Sequence, residues 1–212
     1  MVQLLLEKKA KVNVCNIHGD TPLHVAVYKG HINIVKLLIS EKIAACPHFK
    51  NGRGFKSLHC AVNENHLIIV RKLLALSDID VNCIEGLSGE TPLHYACMNS
   101  NLKIVQLLLE NNANVNAVDD DGYTPLHHAA EEDSVEIIKE LIKYKCNLSP
   151  RLKNQDTPLH LAAYHGHTDT MHYLVENGAD LNIENENGET PLDVLQTHNC
   201  PEDVRIFELG NI

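Results

Sequence analysis

One tetrapeptide recurs along this chain at a nearly constant interval. Four copies of Thr-Pro-Leu-His begin at residues 21, 91, 124 and 157, and two degraded copies, Lys-Ser-Leu-His and Thr-Pro-Leu-Asp, begin at residues 56 and 190. In chain order, successive copies begin 35, 35, 33, 33 and 33 residues apart. Repetition at such a period is typical of a solenoid, in which each repeat packs only against its neighbours.

Each repeat has the pattern of two short helices followed by a polar turn. The Thr can cap the first amides of a helix, and Pro suits the first helical turn because its φ angle is already fixed. Small residues such as Ala129 and Ala130 follow, and they allow neighbouring helices to approach closely. The second helix has apolar residues at helical spacing, as at Ile104, Leu107 and Leu108. The pattern therefore predicts an all-α fold.

Some positions depart from this pattern. Gly is expected between the two helices, but residues 65, 100 and 133 are Asn, Ser and Asp. Gln155 stands where Gly is expected before the motif of its repeat. Asn and Asp tolerate a left-handed backbone at modest cost, whereas Ser is less suited to it. We therefore expect these substitutions to weaken the fold locally.

These motifs resemble the ankyrin repeat, whose hallmark is T-P-L-H-x-A in a unit of about 33 residues. The resemblance covers the whole chain and implies a solenoid of stacked helix-turn-helix units with projecting β-turn fingers. It implies a single domain over residues 1–212, with a partial repeat at 1–14 and full repeats at about 15–49, 50–84, 85–117, 118–150, 151–183 and 184–212. The partial repeat would expose an apolar helix face, so we expect a fragment of a longer protein. Residues 200–212 are predicted to form a partly polar closing helix.

Charge is distributed unevenly along the chain. Residues 1–56 contain nine Lys and Arg against three Asp and Glu, whereas residues 57–212 contain nine against twenty-five. Such a gradient on an elongated molecule can orient a charged partner. The net charge of −10 argues against nucleic acid as the main ligand. Because no apolar run approaches the roughly 18–20 residues of a membrane span, we predict no membrane insertion.

The seven cysteines are widely spread and include no C-x-x-C pair. This argues against a zinc ribbon and against a thioredoxin-like redox motif. An odd number of scattered cysteines predicts free thiols in a reducing compartment. We therefore predict a cytoplasmic location, with the nucleus as an alternative.

Fourteen histidines raise the question of a metal site. The cluster of His165, His167 and His172 lacks the i, i+4 spacing of a helical zinc site. The motifs of hydrolases, nucleotide-binding proteins and metalloproteases are absent from the sequence. We therefore predict no catalytic activity, no cofactor and no metal. The resemblance assigns five histidines to hydrogen bonds that tie loop to helix, namely His24, His59, His94, His127 and His160.

The resemblance also implies a concave groove, lined by the finger tips and the first helix of each repeat. Four of the nine aromatic residues fall at groove positions, and Tyr and Arg are enriched among interface hot spots. The alternative is that the tyrosines only pack between fingers. Carboxylates surround the groove positions of the C-terminal repeats. We therefore expect a partner protein or peptide whose basic segment lies against the C-terminal repeats and whose acidic segment lies against the N-terminal repeats. The candidate partner-binding residues are Tyr28, Lys29, Arg53, Phe55, Glu90, Met98, Asp121, Tyr123, Glu131, Glu132, Tyr164 and His165.

A second site follows from the resemblance alone. Ankyrin repeats are frequent substrates of an asparaginyl hydroxylase that modifies Asn in a Val-Asn turn. Asn116 fits this pattern best, and Asn13, Asn82 and Asn182 are weaker candidates. The alternative is that these asparagines only stabilise the turn.

For function, we predict a monomeric, non-catalytic protein–protein interaction module that acts as a scaffold, adaptor or inhibitor. Two alternatives stay open. One is the substrate-recruiting domain of a larger enzyme or channel, and the other is an effector secreted by a microbe or a virus.

Overall fold

The computed structural model describes residues 2–40, 43 and 45–198, and over these residues the backbone forms twelve α-helices and no strand. The all-α prediction is therefore confirmed. The closing helix predicted for residues 200–212 lies outside the described residues. In chain order the helices are α1 (Val2–Glu7), α2 (Pro22–Tyr28), α3 (Ile32–Leu38), α4 (Ser57–Asn63), α5 (Leu67–Leu74), α6 (Pro92–Met98), α7 (Leu102–Glu110), α8 (Pro125–Glu131), α9 (Val135–Lys143), α10 (Pro158–Tyr164), α11 (Thr168–Glu176) and α12 (Pro191–His198).

The helices form two stacked rows. The motif helices, which follow the repeated tetrapeptide, are α2, α4, α6, α8, α10 and α12, and each contacts the next one in this series. The helices α3, α5, α7, α9 and α11 form the second row in the same way, and each packs against the motif helix of its own repeat. The predicted solenoid is thus confirmed, while the repeat boundaries stay a prediction. None of the helices in the described part of the chain has the length and apolar character that a membrane crossing requires.

The core is a line of aliphatic side chains shared between adjacent repeats. The Leu of each motif helix is at most 1% exposed from Leu23 to Leu159. The second row contributes Ile104, Leu108 and Ile138, which are fully buried. Burial of one such side chain stabilises the fold by about 1.5–3 kcal/mol. At the N-terminal end, α1 leaves Leu4 and Leu5 about half exposed, as the partial repeat predicts.

A Thr–His pair fixes the start of each typical motif helix. The Thr backbone N–H donates to Nδ1 of the His three residues later, at 3.0–3.2 Å in the repeats that begin with Thr21, Thr91, Thr124 and Thr157. An N–H group can only donate, so Nδ1 must be the acceptor and the proton of the neutral imidazole lies on Nε2. The helix cap therefore selects one tautomer of the buried histidine.

The Nε2–H group then donates to a backbone carbonyl in the last turn of the same repeat or in the finger of the following repeat. These bonds are the ties between loop and helix that the resemblance implied, and those of His24, His94 and His160 also join consecutive repeats. The Nε2 of His127 differs, because it is buried near the backbone of Pro150 and Asp156 without a hydrogen bond of comparable geometry. The acceptors are Phe55 O for His24 (3.0 Å), Cys83 O for His59 (3.0 Å), Ala117 O and Tyr123 O for His94 (both 3.2 Å), and Glu189 O for His160 (3.0 Å).

The segment before each motif helix forms a finger-like turn, and in chain order the six fingers are residues 16–20, 51–55, 85–90, 119–123, 152–156 and 185–189. A backbone hydrogen bond closes the base of each finger, as from Asn51 N to Phe55 O at 2.9 Å. Neighbouring fingers also contact one another, as where Gly52 N donates to His18 O at 2.8 Å. The second and third fingers are so close that a Cβ on Gly54, which has a φ of +78°, would lie 2.3 Å from the backbone nitrogen of Gly86. The fingers therefore form a continuous edge beside the motif helices.

The residues that replace glycine adopt the left-handed backbone expected of them. The φ angles are 56° at Asn65, 51° at both Ser100 and Asp133, and 65° at Gln155. Lys145, just after α9, is also left-handed, with a φ of 60°. For a residue with a Cβ, this conformation costs roughly 1–2 kcal/mol.

The six described cysteines are free thiols. Burial raises the pKa of the Cys60 and Cys83 thiols to about 12, so these groups stay protonated and unreactive at neutral pH. Their role in the fold is that of small apolar side chains.

Lys145→Gly should raise the free energy of unfolding by about 0.5–1 kcal/mol. Gly relieves the left-handed strain, although it adds entropy to the unfolded chain. The side chain is exposed, so no burial is lost. Urea denaturation measures the gain, and Lys145→Ala is the control because its Cβ keeps the strain. An equal gain in both variants would contradict this explanation.

Stability should fall as the pH is lowered from 7 to 5. Burial lowers the pKa of His59 from 6.5 to about 4, so the unfolded chain binds a proton first as the pH falls. The contribution of His59 is full above pH 6.5 and should have lost about 2 kcal/mol at pH 5. His59→Gln should show a shallower pH dependence in urea denaturation, because Gln can cap the helix without titrating. The exposed His18 provides the control, since His18→Gln should keep the wild-type slope.

Candidate functional site

Two pockets lie where the fingers meet the motif helices, and together they define the groove. The N-terminal pocket has a volume of about 670 Å³ and is formed by the first two fingers with α2 and α4. The C-terminal pocket has a volume of about 330 Å³ and is formed by later fingers with α8, α10 and α12. Of the twelve predicted contact residues, Tyr28, Lys29, Arg53 and Phe55 line the first pocket, and Tyr123, Glu131, Tyr164 and His165 line the second.

The N-terminal pocket has mixed charge. The ammonium group of Lys29 lies 5.2 Å from the ring centroid of Tyr28, a cation–π contact that positions both side chains at the end of α2. Arg53 projects from the second finger and is exposed, while Asp20 and Glu64 supply carboxylates to the same pocket. Charged side chains of both signs can therefore be recognised here.

Phe55 has a structural role as well as a place in this pocket. Its ring lies 5.3 Å from that of Tyr95 in an edge-to-face arrangement and 5.8 Å from that of His59. It is half-buried and packs against the core. The packing alternative considered for the aromatic residues therefore applies to Phe55.

The C-terminal pocket combines carboxylates with exposed aromatic surface. Glu131, Asp156 and Glu189 line it from one helix and two fingers. Asp156 is held in place by Asn185, whose Nδ2 donates to its Oδ1 at 2.9 Å. Tyr164 is 52% exposed. A cavity with three carboxylates and tyrosine rings suits a cationic side chain such as Lys or Arg.

The charge around Tyr123 indicates how negative this region is. Burial raises the pKa of its phenol, and the carboxylates of Glu131, Asp119 and Asp156 raise it further because they disfavour a phenolate. His165 lies 3.9 Å from Glu131, measured from Nε2 to Oε1, and offers a weak counter-charge when protonated. A cationic ligand would meet an electrostatically complementary pocket.

The other four predicted contact residues lie outside both pockets. Asp121 is exposed and pairs with Lys153 at 2.9 Å, and Glu132 is exposed just after α8. Met98 is half-buried at the end of α6. Glu90 is only 9% exposed and accepts a hydrogen bond from Ser88 Oγ at 2.8 Å. The expectation that Glu90 lies on the binding surface is therefore corrected, because the structure places its carboxylate between repeats.

Sequence reasoning missed one cluster altogether. Among the described residues, the side chains of Glu90, Asp119 and His128 each offer a ligand atom for a metal, and these three atoms lie within 4.8 Å of one another. The three residues belong to two different repeats and form no local motif. The sequence hints at the cluster only when the repeats are aligned on their motifs. Asp119 then stands at the position that Asn51 and Asn185 occupy in other fingers, so a carboxylate replaces an amide.

Asn116 lies exposed in its turn and joins two repeats. Its backbone N–H donates to Asn114 Oδ1 at 3.1 Å, and its own Oδ1 accepts from Asn147 N at 2.7 Å. Asn82 is arranged in the same way, since its Oδ1 accepts from Asn114 N at 2.7 Å. The turn-stabilising role considered for these asparagines is therefore present.

Comparison with known proteins covers nearly all of the described chain. Residues 1–85 and 58–151 match the family model described as ankyrin repeats (3 copies), and residues 141–195 match the model described as ankyrin repeats (many copies). The chain is similar to the nuclear factor NF-kappa-B p105 subunit of Gallus gallus, with 39% identity over 124 residues. It is also similar to serine/threonine-protein kinase TNNI3K of Mus musculus (35% over 112 residues) and to E3 ubiquitin-protein ligase XBAT32 of Arabidopsis thaliana (31% over 115 residues).

These similarities are confined to part of each relative. The alignments cover 58%, 51% and 50% of this chain, but only 12%, 13% and 19% of the three relatives, respectively. The chain thus spans less than a fifth of the length of these relatives.

Proposed function

This chain belongs to the ankyrin-repeat family, whose repeats mediate protein–protein interaction, and we propose that its groove binds a basic segment of a partner protein. The observation that supports this proposal is the C-terminal pocket, in which three carboxylates face a cavity of about 330 Å³ beside the exposed ring of Tyr164. A Lys or Arg side chain of the partner occupies this pocket. Its charge is met by Glu131 and Glu189, and its apolar stem packs on the ring.

The proposed orientation follows from the charges at the two ends of the groove. Lys29 and Arg53 are exposed at the N-terminal pocket, and acidic side chains of the partner bind there. The partner chain therefore runs along the fingers with its basic part against the C-terminal repeats. Opposite charges at the two ends favour one direction of binding over the reverse.

The proposed role is that of a monomeric scaffold, adaptor or inhibitor in the cytoplasm or the nucleus. Binding, rather than catalysis, is the function assigned to the groove, and protein rather than nucleic acid is the ligand. The similarity to a kinase and a ubiquitin ligase favours a second role, in which the same groove recruits substrates to a larger protein. Both roles require the same basic segment, so one binding experiment tests both.

Selection from a displayed library of random peptides should enrich peptides that contain Lys or Arg. Tyr164→Ala should then weaken the binding of the selected peptides by about 1–3 kcal/mol, because an exposed ring at an interface hot spot is removed. Glu131→Gln should weaken binding most strongly at low salt, where charge interactions are least screened. Fluorescence anisotropy with labelled peptides measures both effects.

Tyr144 provides the matched control for this experiment. It is 39% exposed, lies just after α9 and lines neither pocket, so Tyr144→Ala should bind the peptides like the wild type. Enrichment of neutral or acidic peptides, or equal binding by Tyr164→Ala and wild type, would refute the proposed groove site.

We also propose that Asn116 is hydroxylated. Its side chain is exposed, but the bond from Asn147 N to its Oδ1 must open for an enzyme to reach it. Mass spectrometry of the protein purified from its native cells should find an addition of one oxygen on the peptide that contains Asn116. Asn147, which is also exposed and lacks a preceding Val, serves as the internal comparison. An unmodified Asn116 in protein exposed to the active hydroxylase would contradict the proposal.

A further inference from the structure

The contact between the third and fourth fingers differs from two others in its chemistry. At the contact between the first and second fingers, Asn51 Nδ2 donates to Asp20 Oδ1 at 2.9 Å, and between the last two fingers Asn185 Nδ2 donates to Asp156 Oδ1 at 2.9 Å. Each Asn lies five residues before the start of its motif, and each Asp directly precedes its motif. In the third and fourth repeats these two positions hold Glu90 and Asp119. Two carboxylates thus replace a carboxylate and an amide donor.

A buried imidazole faces this pair of carboxylates. His128, in α8, is 7% exposed, and its Nε2 is buried without a hydrogen-bond partner. That nitrogen lies 3.8 Å from Glu90 Oε1. A buried polar atom without a partner is costly, commonly by about 1–3 kcal/mol, unless a ligand satisfies it.

The remaining atoms of the two carboxylates are already occupied by protein donors. Glu90 Oε2 lies 2.8 Å from Ser88 Oγ, and Glu90 Oε1 lies 3.8 Å from His128 Nε2. Asp119 Oδ1 accepts from the backbone nitrogens of Asp121 and Tyr123 at 2.9 and 2.8 Å, which leaves its second oxygen available. One oxygen of each carboxylate and one imidazole nitrogen therefore converge.

We propose that Glu90, Asp119 and His128 bind a divalent cation of the zinc type between the third and fourth repeats. One nitrogen and two carboxylate oxygens suit Zn²⁺, whereas Ca²⁺ and Mg²⁺ favour oxygen ligands throughout. The three ligand atoms already lie within 4.8 Å of one another, so small side-chain movements bring them to coordination distance. The cation cancels the repulsion between the carboxylates and satisfies the buried nitrogen.

The surroundings of His128 fit this role. Its Nδ1 lies 4.0 Å from Glu131 Oε2, so each ring nitrogen faces a carboxylate and Nε2 is the one on the side of Glu90. The ring of Tyr123 stacks on the imidazole, with centroids 5.0 Å apart and an interplanar angle of 21°.

This inference replaces the prediction that the protein binds no metal. That prediction considered His165, His167 and His172, which are close in sequence, whereas the cluster unites residues from separate segments. The site needs no partner protein, because its three ligands all come from this chain, although Tyr123 and Glu131 beside His128 also line the C-terminal pocket.

The test is a titration of the whole chain, treated with a chelator, with Zn²⁺ alone, followed by calorimetry and by the thermal unfolding midpoint. We expect one equivalent to bind and the midpoint to rise. Asp119→Asn recreates the amide–carboxylate contact of the other fingers, so it should fold well without metal. Asp119→Asn and His128→Gln should each bind Zn²⁺ at least about tenfold more weakly.

His31→Gln is the control, because His31 is exposed in the first repeat, just before α3, and should leave Zn²⁺ binding unchanged. Replacement of Zn²⁺ by Co²⁺ gives an absorption spectrum that identifies the types of ligand. Because no cysteine is among the proposed ligands, this spectrum should lack thiolate charge-transfer bands. The proposal is overturned by an absence of saturable binding, by affinities that Asp119→Asn and His128→Gln leave unchanged, or by a thiolate spectrum. Because no peptide is present, these outcomes leave the proposal for the groove untouched.

Discussion

The structure depends on a buried histidine that bonds in two directions. Its Nδ1 accepts the amide of the residue that caps its own helix, and its Nε2–H donates to a carbonyl of the next repeat, as for His24 and Phe55 O at 3.0 Å. One side chain thus closes a helix start and fixes the distance to the following finger. Because the imidazole must be neutral to do both, its burial among leucines is a requirement of the geometry as well as a source of stability.

The groove is a consequence of this arrangement. The fingers are attached to the motif helices at a fixed position in every repeat, so side chains at the finger tips and at the ends of the helices face common pockets. The backbone is the same at each position, and the side chains determine what each pocket can bind. In the proposed function, Lys29 and Arg53 at one pocket and Glu131 and Glu189 at the other give the two ends different ligand preferences. The repeat supplies the scaffold, and the departures from it supply specificity.

The repeated motif made most of the fold predictable, because Thr, Pro and His each have a separate physical reason to occur at a helix start. The left-handed backbone at Ser100 and Asp133 could also be anticipated, since both replace a Gly of known position. The burial of Glu90 could not, because its hydrogen bond to Ser88 depends on the shape of one finger. The approach of Asp119 to His128 depends on packing between repeats, which no local pattern describes. Eight of the twelve residues named from the sequence line the two pockets, while the burial of Glu90 and its approach to His128 follow only from packing between repeats.

The histidine bridges also bear on how the molecule responds to mechanical load. The bridges of His24, His94 and His160 each cross one boundary, so a force applied at the two chain ends is carried by these junctions in series rather than being shared among them. A chain under tension would separate first at its weakest junction and then unfold repeat by repeat from there. At the boundary after His127, the buried Nε2 lies near the Pro150 and Asp156 backbone without a well-formed hydrogen bond, so this junction is weaker than those bridged by His24, His94 and His160. A partner lying across the pocket formed by Tyr123, Tyr164 and Glu189 spans the same boundary and would hold the two repeats together there.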